Sequence, residues 1–378
     1  MENNLAKLRA TDASTTGSRC IIHIGMHKTG STSIQRALDR FEDNRFLYAR
    51  LAGTSNHSLA IYSAFSKTPE RHHLHHTAGR DQTQVLRYND RIFQELDRCI
   101  EKTRGRTLII SGEDIGSLSE RDLRKLRDYF DARFSELVIA GYVRPPAGFL
   151  ASSFQQRVKS GTLNLFDPLR MYRSYQASFG KFDQVFGRDR VRLWKFDPEK
   201  FSGGDVVRDF CRRLEIPLPH KKSVRLNESL STRAVAMCYV YNKFGARAGM
   251  DLLGSTGGTA LLRLLDGEKF RLSPDSVRPV LEHNRADIEW MEERLGQSLR
   301  EELGEHRDTD IRAEEDLLRP NPDVVAKLLR MLGRSAPKGV EGRTPEEVAV
   351  LVDALLRKRR YLGLWNSISQ AFFSAAKK

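Results

Sequence analysis

The sequence contains few cysteines, and those it has are not paired along the chain. Four occur in 378 residues, at positions 20, 99, 211 and 238, and none belongs to a C-x-x-C pair. Closely spaced pairs are typical of zinc sites and redox motifs, and dense cysteine frameworks are typical of small secreted domains. We therefore expect buried, reduced thiols and an intracellular setting.

The sequence also lacks a run of about 18 apolar residues, the length that a membrane-spanning helix requires. Residues 1–18 are polar and have no apolar core of the kind that marks a secretory signal. From these two absences a cytoplasmic protein without a transmembrane segment is expected. The same polar composition predicts a flexible N-terminal arm over 1–18.

Acidic residues are outnumbered by basic ones. There are 63 Lys and Arg against 49 Asp and Glu, which gives a formal net charge of +14. Such an excess favours anionic partners, among them nucleotides, acidic glycans and anionic membrane surfaces. The basic residues are scattered among acids, and no zinc-finger spacing or RNA-binding signature is present, so no nucleic-acid partner is expected.

The most informative segment runs from Cys20 to Gln35 and reads CIIHIGMHKTGSTSIQ. It predicts a buried strand, a glycine-containing loop and the first turn of a helix. A helix N-terminus carries unpaired N–H groups and about half a positive charge, which favours a bound anion. Lys28 lies inside the loop, and three hydroxyl residues follow Gly30. A phosphate or sulfate is therefore the expected ligand.

The loop differs from the P-loop of nucleoside-triphosphate enzymes, which reads G-x-x-x-x-G-K-[ST]. Gly25 and Gly30 have the required spacing, but Ser31 occupies the lysine position and the basic residue is Lys28. Ser31 or Thr32 could still bind magnesium, so a P-loop kinase that uses Mg-ATP stays open. A non-catalytic nucleotide-binding protein is a further alternative.

The stretch from His27 to Ser33 resembles the 5′-phosphosulfate loop of the sulfotransferases that use 3′-phosphoadenosine-5′-phosphosulfate (PAPS). In that family the loop lysine precedes the glycine, and serine or threonine residues follow. The resemblance implies that Lys28 contacts the oxygen that bridges phosphate and sulfate. It also implies a set of donor-binding residues around the 5′-phosphate: Thr29, Gly30, Ser31, Thr32 and Ser33.

A second segment supports this interpretation. The apolar run 137–143 predicts a strand, and Arg144 follows it directly. Open α/β sheets bind their ligands at the carboxyl ends of the strands. Ser152 lies eight residues further on, about two helical turns, so it can face the same side. The resemblance implies that Arg144 and Ser152 bind the 3′-phosphate of PAPS.

A third apolar run, 107–111, is followed by two carboxylates, Glu113 and Asp114. Transfer to a hydroxyl or amine requires a group that accepts the proton of the acceptor. Some relatives use a histidine after this strand, and others, many acting on glycans, use a glutamate. We take Glu113 as the base, with Asp114, His23 and His27 as alternatives. In a kinase the same carboxylates would bind magnesium.

Alternating strands and helices predict the fold class. We expect an α/β, three-layer P-loop-like fold with a central parallel sheet flanked by helices, plus a helical C-terminal extension. The predicted domains are a sulfotransferase-like α/β domain over 19–303 and the extension over 304–378. Within the extension, the basic and apolar segment 355–365 could contact a membrane surface, although packing against the main domain is the favoured interpretation.

Taken together with these motifs, the resemblance implies a bacterial-type, PAPS-dependent sulfotransferase that needs no metal. Its acceptor is expected to be a carbohydrate or glycoconjugate. The histidine cluster His72, His73, His75 and His76 is interpreted as part of a loop near the acceptor cleft rather than as a metal site, because its spacing is irregular. The identity of the acceptor and the oligomeric state do not follow from the sequence.

Overall fold

The structure, a computed structural model, describes residues 18–218, 230–246, 265 and 267–358. The described chain divides into two compact units. The first comprises 18–144, 174–218 and 289–299, and the second comprises 145–173, 230–246, 265, 267–288 and 300–358. The predicted N-terminal arm falls almost wholly outside the described residues, and the predicted boundary at 303 stays a prediction.

The first unit is built on a five-stranded sheet in which every pair of neighbours is parallel. Its order is β2-β3-β1-β4-β5. The strands are β1 Arg19–His23, β2 Phe46–Tyr48, β3 Thr107–Ser111, β4 Glu136–Val143 and β5 Val191–Lys195. Central β1 is apolar on both faces, as buried parallel strands are, and Ile21 and Ile22 are fully buried. The predicted α/β class is confirmed.

Thirteen labelled helices accompany the strands in the described part of the chain. In chain order they are α1 Ser31–Leu38, α2 Ser58–Phe65, α3 His73–Thr77, α4 Gln82–Thr103, α5 Glu120–Asp131, α6 Pro146–Lys159, α7 Lys181–Phe186, α8 Val206–Leu214, α9 Thr232–Phe244, α10 Pro274–His283, α11 Arg285–Leu295, α12 Glu314–Leu318 and α13 Pro322–Leu332. None of the described helices is long and apolar enough to cross a membrane.

Helices cover both faces of the sheet in the first unit. On one face, α1 and α8 share a buried apolar cluster with the strands, in which Ile34 and Phe210 join Ile21 and Tyr142. On the other face α4 contacts β3 and α5 contacts β4. These layers are the predicted three-layer arrangement. Because α1 follows β1 on one face and α5 follows β3 on the other, a crevice is expected at the carboxyl ends of β1 and β3, the switch point of the sheet.

The second unit is mainly helical and has its own apolar core. Phe154 on α6 stacks on Tyr239 of α9 with ring centroids 6.1 Å apart, and on Phe270 at 5.2 Å. Leu328 of α13 and Leu355, in helical backbone over 345–358, are buried in the same core. The predicted helical C-terminal region is therefore present as far as residue 358. Most of the basic and apolar segment 355–365 lies outside the described residues.

All four cysteines are buried and unpaired, as expected from their spacing. Cys20 on β1 and Cys238 on α9 are completely buried. Burial in apolar surroundings raises the pKa of the Cys238 thiol to about 12. The thiols act as small apolar side chains in the two cores.

The turn from loop to α1 depends on Gly30. Its φ is +79°, and a Cβ at this position would lie 2.6 Å from Cγ1 of Val206. We predict that Gly30→Ala combines left-handed backbone strain with overpacking against a stiff β-branched side chain. Gly53 has a φ of +70° with open space around it, so Gly53→Ala carries the strain alone. Gly30→Ala should lose about 1–3 kcal/mol more unfolding free energy than Gly53→Ala in denaturant titrations. Equal losses would contradict the close packing of Val206 on Gly30.

Candidate functional site

The loop between β1 and α1 contains three residues with left-handed backbone. Gly25, Lys28 and Gly30 have φ values of +38°, +69° and +79°. A lysine in this region is uncommon and costs about 1–2 kcal/mol, and such strain collects at functional sites. Thr29 stabilises the loop from within, since its hydroxyl donates to the Met26 carbonyl at 2.6 Å. The loop that was predicted to bind an anion is therefore tightly folded.

The N-terminus of α1 has no side-chain cap. Its N-cap is Gly30, and no side chain accepts from the first turn. The N–H groups of Ser33 and Ile34 donate to the Gly30 carbonyl at 2.9 and 3.1 Å. Ser31 and Thr32 are the first two residues of the helix. Uncapped N–H groups and the helix dipole together suit an anion.

Two buried polar atoms face the backbone of Gly25. A Cβ on Gly25 would collide with the Ser31 hydroxyl and lie 3.3 Å from Nε2 of His23. Ser31 Oγ and His23 Nε2 make no hydrogen bond of normal geometry among the described residues. Buried polar atoms of this kind usually bond to a water molecule or a ligand oxygen. The role of Ser31 in binding the donor stays a prediction.

Glu113 and Asp114 follow β3 in a 3₁₀ helix, Glu113–Ser117, at the mouth of the same crevice. His27 from the loop places its Nδ1 2.9 Å from Oε2 of Glu113. Its Nε2 lies 3.9 Å from Oδ1 of Asp114. The other oxygen of Asp114, Oδ2, lies 3.1 Å from Nε2 of His72. Carboxylates and imidazoles therefore alternate along a chain of contacts, in the order Glu113, His27, Asp114 and His72.

Both carboxyl groups are held in the ionised form. Burial alone would raise the pKa of Glu113, but the hydrogen bond and charge of His27, with smaller contributions from Ser31 and His23, bring it below its ordinary value. Burial likewise opposes ionisation of Asp114, and the hydrogen bond from His72 and the nearby imidazole charges bring its pKa below the usual value. A carboxylate that is ionised at neutral pH can accept a proton.

Behind the carboxylates lies a layer of neutral histidines. Nδ1 of His23 is 2.8 Å from Oγ of Ser111, and the Ser111 N–H donates to Nδ1 of His57 at 3.2 Å. Gln35 on α1 also donates to Oγ of Ser111 at 3.3 Å. Burial lowers the pKa of His23 and of His57 to about 4. These side chains form the rigid floor of the site.

Arg144 lies directly after β4 and contacts the loop. Its Nη1 donates to the Lys28 carbonyl at 2.5 Å. Its Cζ lies 5.7 Å from the ring centroid of Phe196, and its own carbonyl accepts from the Tyr175 hydroxyl at 2.7 Å. Two of the residues predicted to bind phosphate groups, Lys28 and Arg144, are thus in direct contact.

Ser152 is placed differently from the other candidates. It lies half-buried on α6, which belongs to the second unit. The first turn of α6 is satisfied by a carboxylate, because the Gly148 N–H donates to both oxygens of Glu301 at 3.1 and 3.0 Å. Beside it, a cavity of about 670 Å³ is lined by residues of the same unit. The pairing of Ser152 with Arg144 stays a prediction.

The histidine cluster forms a short helix rather than the loop that we expected. His72 is the N-cap of α3, and its Nδ1 accepts from the Leu74 N–H at 3.2 Å, so the ring proton is on Nε2 and faces Asp114. His75 is buried, with Nε2 2.8 Å from Oγ of Ser63. No group of three or more potential metal ligands occurs in the described ranges.

Comparisons with known proteins add context to this geometry. No family model matches the chain. An uncharacterized protein of Archaeoglobus fulgidus is 27% identical over 127 residues, 33% of this chain and 35% of that protein. The chain therefore matches about a third of that relative's length.

Two solved structures are similar to the chain. A sulfotransferase from Alicyclobacillus acidocaldarius gives a TM-score of 0.43 at 15% identity, covering 74% of this chain and 96% of that one. The sulfotransferase domain of the Synechococcus PCC 7002 olefin synthase gives a TM-score of 0.32 at 16% identity, and the match covers 56% of this chain and 80% of that one.

The buried neutral histidines make stability depend on pH. The pKa of His57 is about 4 in the folded protein, below its ordinary value of about 6.5, so the unfolded chain binds more protons between these limits. The stability that neutral His57 contributes is complete above pH 6.5 and is lost as pH falls towards 4. We predict that His57→Asn, which keeps an acceptor for the Ser111 N–H, reduces the slope of unfolding free energy against pH in this window by up to about 1.4 kcal/mol per pH unit.

Denaturant titrations from pH 4.5 to 7.5 measure this slope. His283→Asn is a matched control, since His283 is exposed on α10. A His57→Asn slope equal to that of the wild type would show that His57 is not buried in the neutral form.

Proposed function

We propose that the first unit transfers a sulfuryl group from PAPS to a hydroxyl or amine acceptor. The observation that carries this proposal is the meeting of two features at one edge of the sheet. One is a strained lysine loop ahead of an uncapped helix N-terminus. The other is an ionised carboxylate, Glu113, held against that loop by His27. An anion site beside a proton acceptor is what group transfer from an anionic donor requires.

The residues of the loop suit the phosphosulfate end of the donor. We assign the 5′-phosphate to the loop backbone and to the hydroxyl residues of the first turn, Thr29, Ser31, Thr32 and Ser33, together with Gly30. Buried Ser31 supports this assignment, because its hydroxyl lies against the loop backbone at Gly25 and has no hydrogen-bond partner of normal geometry among the described residues. PAPS supplies an activated sulfuryl group and leaves as a nucleoside bisphosphate.

Lys28 and Glu113 are the catalytic residues in this proposal. The Lys28 ammonium neutralises the negative charge that grows on the bridging oxygen as the sulfur–oxygen bond breaks. Glu113 receives the proton of the attacking hydroxyl or amine. Its carboxylate is four-fifths buried, with 20% of the side chain exposed, and it is ionised at neutral pH.

Arg144 is assigned to the 3′-phosphate, together with Ser152. A guanidinium presents a planar fork of donors that matches phosphate oxygens. Arg144 also holds the Lys28 carbonyl. A ligand bound at Arg144 would therefore act on the same side chain that fixes the backbone of the catalytic lysine. This link would couple recognition of the bisphosphate to the position of Lys28.

The acceptor that we propose is a carbohydrate or glycoconjugate, and the setting is the cytoplasm of a bacterium. The net charge of +14 favours an anionic acceptor over a cationic one. No nucleic-acid partner and no metal are part of the proposal. Contact of the C-terminal extension with a membrane surface is a further possibility that rests on the sequence of 355–365 alone.

A ligand titration separates this function from its alternatives, a P-loop kinase and a non-catalytic nucleotide-binding protein. Binding to the native state raises the melting temperature by mass action. Stabilisation by 3′,5′-adenosine bisphosphate that is indifferent to a chelator supports the PAPS site. Stabilisation by ATP that requires magnesium would identify a kinase. Bisphosphate binding without release of bisphosphate from PAPS would identify a non-catalytic protein.

Arg144→Ala tests the 3′-phosphate site. We predict that it weakens the binding of 3′,5′-adenosine bisphosphate by about ten- to a hundredfold, because a charge-assisted hydrogen bond is lost. Binding of 5′-AMP, which lacks the 3′-phosphate, should change much less. Calorimetric titration of both nucleotides gives the comparison. Equal losses for the two would mean that Arg144 acts only by holding the Lys28 carbonyl.

Lys28→Ala tests the transfer step. We predict that release of bisphosphate from PAPS falls by about a hundredfold or more, since removal of one preorganised charge from a developing oxyanion has effects of that size. Lys67→Ala removes one lysine from an exposed position in the same unit and serves as the control. A normal rate in Lys28→Ala would eliminate the proposed role of this residue.

A further inference from the structure

The contact between His27 and Glu113 joins two segments that the sequence left unconnected. The imidazole Nδ1 and carboxylate Oε2 are 2.9 Å apart, within hydrogen-bonding distance. His27 is 39% exposed, whereas the Glu113 side chain is 20% exposed. His27 therefore lies on the solvent side of a largely buried carboxylate and occupies one of its two oxygens.

A second carboxylate–imidazole pair, Asp114 and His72, lies on the other side of His27. Oδ1 of Asp114 lies 3.9 Å from Nε2 of His27, and Oδ2 accepts from Nε2 of His72 at 3.1 Å. The tautomer of His72 is set, because its Nδ1 accepts from the backbone N–H of Leu74. The His72 side chain is 4% exposed. The hydrogen bond from His72 therefore orients the Asp114 carboxylate, whose other oxygen lies at ion-pair distance from His27.

Charged and titratable groups approach the carboxylates from several elements. His23 at the end of β1 and His27 in the loop both lower the pKa of Glu113. His72 and His73 at the start of α3 act on Asp114. At the far end of the same 3₁₀ helix, Lys181 of α7 donates to the carbonyls of Gly116 and Leu118. His27 is the group that both bonds to Glu113 and faces solvent.

We propose that His27 is a positioning residue for Glu113, and that Asp114 and His72 hold His27 in place for that purpose. This inference rests on the proposed function. The imidazole donates through Nδ1 to Oε2, fixes the plane of the carboxylate and keeps it ionised despite its burial. Oε1 then receives the acceptor proton as the acceptor–sulfur bond forms and the sulfur–oxygen bond to the leaving phosphate breaks.

A pair of substitutions at His27 separates positioning from proton transfer. His27→Ala removes the donor, so burial is left to raise the pKa of Glu113. His27→Asn offers an amide N–H in place of Nδ1–H but cannot take up a proton. We expect the carboxyl carbon of Glu113, observed by NMR, to titrate at higher pH in His27→Ala than in the wild type. In His27→Asn it should titrate nearer to the wild-type range.

Turnover provides the second readout, with water as the acceptor and PAPS as the probe. The acid limb of the pH profile for bisphosphate release should move to higher pH in His27→Ala. At neutral pH the rate should fall by about tenfold or more, the effect of losing a hydrogen bond to a charged group. His27→Asn should recover most of the rate.

His72→Asn tests the support. Asparagine is a favourable N-cap and keeps an acceptor for the Leu74 N–H, while the bond to Asp114 is lost. We expect a shift of the Glu113 titration in the same direction as in His27→Ala, but smaller. His76→Asn, at an exposed position in the same helix, should leave the titration unchanged.

Three results would overturn the inference. The first is a Glu113 titration in His27→Ala at the same pH as in the wild type. The second is a Glu113 titration in His72→Asn at the same pH as in the wild type. The third is a rate in His27→Asn as low as in His27→Ala, in which case His27 itself takes the proton. Failure of the proposed function is recognised separately, because the wild type would then neither bind 3′,5′-adenosine bisphosphate nor release it from PAPS, while the NMR titration still reports on His27.

Discussion

The hydrogen bond from the Arg144 guanidinium to the Lys28 carbonyl is the interaction on which the site depends. It ties the residue after β4 to a loop residue with strained, left-handed backbone. Such a conformation persists only where the surroundings impose it. The loop in turn determines where α1 begins and where His27 meets Glu113. One contact between neighbouring strand ends therefore sets the relative positions of the proposed donor site and the proposed base.

The sheet supplies the rigidity that this arrangement needs. The register of β1 and β3 places His23 beside Ser111, and Ser111 bonds to His57 as well. These buried histidines are neutral at physiological pH, since burial lowers the pKa of each to about 4. The carboxylates one step further along the chain are ionised. The neutral histidines thus lie behind the ionised carboxylates, and the carboxylates are the groups of this pair of layers that can accept a proton.

The sequence predicted the central strands, the loop and the position of Glu113 after β3, because each depends on local pattern: apolar runs, glycine spacing, and polar residues at strand ends. Strand β2 was missed since Phe46–Tyr48 is too short to show a period and is stabilised by pairing with β3. The role of His72 was missed for another reason, as its partner Asp114 is 42 residues away and nothing local marks the contact. The histidine cluster had been expected to form a loop, but capping by His72 makes it a helix.

Bisphosphate release from PAPS under single-turnover conditions, with a chelator present, tests the proposed roles of Glu113 and of the loop most directly. The wild type is compared with Glu113→Gln, which keeps the shape of the side chain and removes its basicity, and with Glu120→Gln as an exposed control. We predict release by the wild type and the control, and a rate lower by about a hundredfold or more in Glu113→Gln. Release by Glu113→Gln at the wild-type rate, or dependence of the wild type on magnesium, would contradict this prediction.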